Sequence, residues 1–180
     1  MNKLVGKGFF IWKIQNCEGG NPVAIAEAAH QAGFTHVLIK IADGAWPVNI
    51  DRITNTDLLP PVVDALRDKG IQVSGWHYVY GNDPLAEANI AIRRIQQFGL
   101  DGYVIDAEIE YKQPGKDAAA RRFMKKLREN LPHLPMALSS YRFPSYHPQL
   151  PWKVFLESVD YNMPQVYWEK AHNSEAQLRR

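Results

Sequence analysis

The sequence predicts an α/β fold, a (β/α) barrel of the TIM type, irregular or incomplete. Three observations carry that prediction. A unit recurs in which a short apolar run, a polar loop and a helical pattern are followed by glycine. The helix-to-strand junctions AGF-THVLIK, KGI-QVSGW and FGL-DGYVID each pair a glycine with an apolar residue: Gly33-Phe34, Gly70-Ile71 and Gly99-Leu100. The run DGYVIDAEIE places carboxylates at the C-terminal end of a strand, the end at which barrels of this kind gather functional groups.

Each junction has one physical meaning. Glycine just past a helix enters the left-handed region at little cost, and the next apolar residue packs back on the last turn. Three copies of one helix stop, each feeding a strand, imply repeated βα units. The predicted strands are Phe9–Ile14, His36–Ile41, Gln72–Tyr80, Tyr103–Glu108, Met136–Ser140 and Tyr161–Tyr167. Between them, Asn21-Pro22 and Asp83-Pro84 read as an N-cap followed by proline at the first helical position. Leu85, Ala88, Ile92 and Ile95 then recur at helical spacing, as do Phe123, Leu127 and Leu131. The basic run Arg121, Arg122, Lys125, Lys126 and Arg128 on the latter helix reads as a solvated face.

Six strands with crossover helices imply a parallel sheet. A doubly wound sheet is the competitor, but no G-x-G-x-x-G and no P-loop follows the first strand. A complete barrel needs eight strands, and SEAQLRR at the end of the chain falls inside a sixth helical segment. Residues 1–180 are therefore read as one barrel domain, cut short at its C-terminal end.

Composition excludes several classes. With 46% hydrophobic and 22% charged residues over 180 positions, the chain is globular rather than disordered. A net charge of +2, with no basic stripe interleaved with aromatics, gives no footprint for nucleic acid. No segment approaches the length of a membrane span, and the apolar stretch after the N-terminus is too short for a signal peptide. The expectation is a cytoplasmic protein or one released by another route. Cys17 is the single cysteine, expected to act as a small, half-buried hydrophobe.

Chemistry concentrates on the fourth strand. Alternation puts Val104, Asp106, Glu108 and Glu110 on one face, and Tyr103, Ile105, Ala107 and Ile109 on the other. The apolar face should pack on helices, so the carboxylates point into the barrel. Like charges held there raise one another's pKa, and that pressure keeps Glu108 protonated, as a general acid requires. The structural alternative pairs the carboxylates with Lys40 or Arg142. Lys40 alternates against Val37, Ile39 and Ile41, so it should point inward, within reach of a fourth-strand carboxylate. The third strand presents Trp76, Tyr78 and Tyr80 inward, with His77 as an outward core histidine. No G-x-S-x-G surrounds Ser139 or Ser140, so no serine nucleophile is expected. No metal or cofactor is expected either.

DGYVIDAE resembles the strand-four signature of family 18 glycoside hydrolases, D-G-x-D-x-D-x-E. Asp101, Gly102, Asp106 and Glu108 match, and Val104 replaces the first inner acid. The resemblance implies that Glu108 is the general acid and that Asp106 supports attack by the substrate's own N-acetyl group. YNMPQVYW resembles that family's strand-six M-x-Y pattern. Most of the chain is similar to family 25, the muramidase-type lysozymes. AGFTHVLIKIADG resembles its second strand, with inward Lys40. VSGWHYVYG resembles its third, IDAE its D-x-E, MALSSYRF its fifth strand and QVYW its sixth. That family opens with G-[IV]-D-[VI]-S, whereas here Phe10 stands at the acid's position.

The resemblances imply hydrolysis of a β-linked N-acetylhexosamine polymer, peptidoglycan ahead of chitin. The polysaccharide is the expected partner, with no role for nucleic acid or membrane. Lys40, Trp76, Tyr78, Tyr141, Gln165, Tyr167 and Trp168 are the candidate substrate-binding residues. Phe10 and Val104 leave two alternatives open: a barrel that binds carbohydrate without cleaving it, and a structural domain of a larger protein.

Overall fold

The computed structural model describes residues 5–167. Six parallel strands run in sequence order: β1 (Gly8–Ile11), β2 (His36–Asp43), β3 (Gln72–Val79), β4 (Gly102–Ala107), β5 (Met136–Tyr141) and β6 (Tyr161–Gln165). Each pairs with its neighbours in the chain, and β1 does not pair with β6. The sheet curls as a half-barrel and does not close. The strand order is the predicted one; the closed TIM barrel is not formed among the described residues. Closure needs two further strands to bridge β6 and β1, and the expected sixth helix falls outside the described residues. A two-residue arm, Trp46–Pro47, folds back antiparallel on β2.

Helices α1 (Pro22–Gln31), α2 (Leu59–Asp68), α3 (Pro84–Phe98), α4 (Lys116–Asn130) and α5 (Trp152–Leu156) connect the strands. Asn21 caps α1 by accepting from the Ala24 amide, and Asp83 caps α3 by accepting from that of Ala86. Proline at the first helical position cannot donate, and there no helical bond is lost. The glycine stops take one shape. Gly33, Gly70 and Gly99 sit at φ 67, 72 and 57°. Phe34, Ile71 and Leu100 each donate back to the carbonyl five residues earlier, at 3.0 Å in every case. That is the Schellman closure, which satisfies the helix's last carbonyls.

The main core lies between the outer face of the sheet and the helices. Val37, Ile39, Val73, Tyr103 and Ile105 pack there against Ile25, Val62, Ala91 and Phe123. Leu38, Val104 and Ala137 form a small second cluster on the inner face, with Trp76, Tyr161 and Met163 packed against it. The sheet's faces therefore follow the predicted alternation. Gly8 lies on the inner face against His36, where a Cβ would come within 2.0 Å of the imidazole. A side chain there would force the imidazole to move.

Three local expectations change. Alternation ends at Glu108, because residues 109–112 turn into a 3-10 helix, and Ile109 is exposed rather than packed. Leu85 stays at the surface while Ala88, Ile92 and Ile95 are buried. Arg128 leaves the solvated face of α4 to donate to the Ser158 and Leu134 carbonyls and to Asp160. Cys17 is partly buried against the main core.

Candidate active site

The site lies at the C-terminal ends of the strands, on the inner face of the half-barrel. Strand β4 delivers Asp106, and its extension delivers Glu108. Gln165, at the end of β6, reaches across to both. Its Nε2 donates to Asp106 Oδ1 at 2.9 Å and to Glu108 Oε1 at 2.8 Å. The Tyr167 hydroxyl donates to Gln165 Oε1 at 2.9 Å, which fixes the amide so that its NH₂ faces the carboxyls. One amide thus gathers both carboxyl groups within hydrogen-bond distance of a single nitrogen.

No lysine among the described residues lies within salt-bridge distance of Asp106 or Glu108. Burial, the charge of Glu108 and a hydrogen bond with it push Asp106 up to about 7, against smaller downward pulls from Lys40 and Gln165. Asp106 sits in the sheet, whereas Glu108 lies just past its end.

A cavity of about 390 Å³ opens over the pair, lined by Phe10, Trp76, Ser139, Val166 and Tyr167 as well as Asp106, Glu108 and Gln165. Phe10 meets Trp76 edge to face at 6.1 Å, and the indole N–H donates to the Ile11 carbonyl at 3.0 Å. A second cavity of about 300 Å³ shares Glu108, Gln165 and Tyr167 and adds Tyr141, Arg142, Phe143 and His147. Glu108 therefore borders two compartments of one cleft.

Lys40 does point inward and is almost fully buried. Its ammonium meets Asp43 at 2.5 Å, not a β4 carboxylate, and lies 4.9 Å from the centre of the Trp76 ring and 5.3 Å from that of Trp12. A bulge explains the change of partner. The β2–β3 register shifts between Lys40 and Ala42, and both Ile41 and Ala42 face the main core. One extra residue on the outer face returns Asp43 to the inner face beside Lys40. Burial pushes Asp43 up, but hydrogen bonds from Lys40 and Tyr80 outweigh it and hold the carboxyl below its ordinary value.

Tyr78 points inward but donates to Glu110 at 2.7 Å. His77 is the expected outward core histidine. Its Nε2 faces the Gly44 carbonyl at 2.7 Å and its Nδ1 the Tyr103 hydroxyl at 2.8 Å. The carbonyl only accepts, so Nε2 carries the proton and Nδ1 accepts from the tyrosine. Burial lowers its pKa to about 4 and keeps the ring neutral.

The structure thus brings Asp106, Glu108, Trp76, Gln165 and Tyr167 to one cavity and Tyr141 to the next, while Lys40 and Tyr78 lie beside it with other partners. Trp168 lies outside the described residues. His147 was not singled out for the site by the sequence, because it sits in an irregular loop after β5. Among the described residues, no group of three metal-ligating side chains occurs, and no helix is long and apolar enough to cross a membrane.

No protein-family model matches the chain, and no curated protein matches it in sequence. Solved structures do. The C-terminal domain of a candidate chitinase from Desulfitobacterium hafniense DCB-2 aligns with 92% of this chain and 55% of its own, with a TM-score of 0.66 and 14% identity. A glycosyl hydrolase 25 of Streptococcus pneumoniae aligns with 90% of this chain and 70% of its own, at 0.65 and 13%. A candidate α-L-fucosidase from Bacteroides thetaiotaomicron VPI-5482 aligns with 91% and 68%, at 0.64 and 14%. The chain spans about half the length of the first of these and about two thirds of the others. At such identities the likeness shows the fold, a barrel-like α/β architecture of the kind seen in glycoside hydrolases.

Proposed function

We propose that this chain is a glycoside hydrolase acting on a β-linked N-acetylhexosamine polymer, with peptidoglycan ahead of chitin. The observation that carries the reading is the carboxyl pair on the wall of an aromatic-lined cavity, bridged by Gln165 and with no described lysine in ion-pair reach. A structural pair would have been neutralised by a neighbouring cation. Here the like charges are left to share a proton.

Asp106 holds that proton to near neutrality and passes it to Glu108, which gives it to the glycosidic oxygen as the bond to the sugar breaks. Asp106 is then anionic and orients the substrate's N-acetyl group, whose carbonyl oxygen attacks the sugar carbon. Water later opens that intermediate, and its proton returns to the pair. Both carboxyls approach from one side of the substrate, because one amide nitrogen holds them together. That geometry offers no separate base on the opposite face, so the substrate's own group fits the role of nucleophile. Gln165 and Tyr167 fix the pair, and Trp76 supplies an apolar wall for the sugar ring.

Phe10 favours a second reading, a barrel that binds carbohydrate without cleaving it, since it lines the cavity at the position where the family 25 resemblance calls for an acid. The test is an assay of the purified chain on peptidoglycan and on chitin oligomers, counting reducing ends over time. Release from either supports hydrolysis. Retention on a polymer without release rejects it in favour of the binding barrel.

A further inference from the structure

We infer that Tyr78 is a positioning residue for Glu108: its phenol, acting through Glu110, holds the turn that follows Glu108, and the inference rests on the glycosidase reading of this cleft. Glu108 lies where the chain leaves the sheet. The paired register of β4 and β5 ends at Asp106 and Ser139, and that of β3 and β4 at Val79 and Ala107. Before Glu108 the backbone is secured. The Ser140 hydroxyl donates to the Ala107 carbonyl at 2.5 Å, and that carbonyl belongs to the peptide joining Ala107 to Glu108. After Glu108 the chain turns through residues 109–112, and the Tyr111 amide donates back to the Glu108 carbonyl at 3.1 Å. Ile109 is exposed and brings little packing to this turn. The Tyr78 hydroxyl donates to Glu110 Oε2 at 2.7 Å, and so ties the turn to β3.

The phenol is itself held in place. The register sets Tyr78 beside Asp106 on the inner face. Its ring meets Tyr80 edge to face at 5.1 Å, and the Lys40 ammonium lies 5.9 Å from its centre. Tyr80 in turn donates to Asp43 at 2.7 Å, and Asp43 accepts from Lys40. A run of contacts therefore leads from the bulge of β2, across β3, to the turn after β4. Tyrosine has few torsions to lose, so it makes a stiff strut at little entropic cost. Neither Tyr78 nor Glu110 lines the cavity over the carboxyl pair or the compartment beside it. Their influence on Glu108 runs through the backbone they hold. Misplacing a reacting group by about 1 Å costs up to about 10²-fold in rate.

The test compares Tyr78→Phe with the unaltered chain in two measurements. The first is hydrogen exchange at the Tyr111 amide, which reports opening of the turn whether or not the chain cleaves anything. A hydrogen bond to a charged group is worth about tenfold or more in an equilibrium. The Tyr111 amide is therefore expected to exchange about tenfold faster in Tyr78→Phe, with the Ile105 amide inside β4 unchanged. Glu110→Ala is expected to do the same and the double variant no more, since each removes the one interaction. Glu110→Gln keeps an acceptor for the phenol and retains part of the protection. The second measurement is steady-state kinetics on peptidoglycan. There kcat is expected to fall about tenfold with KM unchanged, as when a group aligned only in the transition state is displaced. An unchanged Tyr111 amide overturns the inference, and so does an Ile105 amide that speeds equally. A raised KM at constant kcat also overturns it, making Tyr78 a substrate-binding residue. If the unaltered chain cleaves no polymer, the glycosidase reading fails, while the exchange result still decides whether Tyr78 holds the turn.

Discussion

Asp106 is the residue on which acid–base chemistry and stability meet. Its pKa is raised from 3.8 to about 7 by burial and by Glu108. Between those values the folded chain holds a proton that the unfolded chain has lost. Stability from this group is complete below the unfolded value and is lost as pH rises through the folded one. Asp106→Asn removes the titration. The melting temperature of the variant relative to the unaltered chain is therefore expected to rise from pH 4 to pH 8, read by calorimetry across that range. A difference that is flat with pH means that Asp106 is not held protonated. The two carboxyls and their inward direction were legible in the sequence, since a strand that alternates Val104, Asp106 and Glu108 against Tyr103, Ile105 and Ala107 has only one side for its helices. How deeply each of the pair sits was not legible. That depends on how far β4 runs before the chain turns at Ile109, and neither carboxylate's local sequence encodes it.

Strand β2 shows how an element's irregularity places a group that its periodicity would misplace. Strict alternation sends Asp43 to the helix side, opposite Lys40; the bulge brings it back. The pair it makes is asymmetric, with Lys40 almost wholly buried among aromatic rings and Asp43 about a third exposed. Breaking a buried pair by removing one partner costs about 3–5 kcal/mol. With Asp43 partly in water, Asp43→Leu is expected near the low end, about 3 kcal/mol, measured by urea unfolding, with Lys40→Met in the same chain recovering part of the loss. A cost below about 0.5 kcal/mol places the pair with ordinary surface ion pairs. The helix stops, by contrast, were fully legible, because Gly33-Phe34, Gly70-Ile71 and Gly99-Leu100 each carry the complete Schellman signal within two residues. Local rules of this kind survive because they involve only neighbours in the chain, whereas a bulge is decided by the partner strand.

At the scale of the molecule, strand order was legible and closure was not. Repeated βα units dictate sequential parallel pairing, but nothing local to β1 or β6 states whether the two meet. Among the described residues each has one unpaired edge, while β3 and β4 are paired on both sides. Hydrogen exchange is expected to show the strongest protection in β3 and β4 and weaker protection in β1 and β6; equal protection throughout contradicts an open sheet. The open form also leaves the cleft broad, with Glu108 bordering both compartments. The central claim is that Glu108 acts as the acid in glycosidic cleavage. It is tested most directly by comparing the unaltered chain with Glu108→Gln in release of reducing ends from peptidoglycan, with melting temperatures measured beside the rates. The amide keeps the side chain's shape but has no acid proton to give. The predicted result is a loss of about 10²–10⁴ in rate with a nearly unchanged melting temperature. Equal rates, or a fall in melting temperature large enough to account for the lost activity, would contradict the claim.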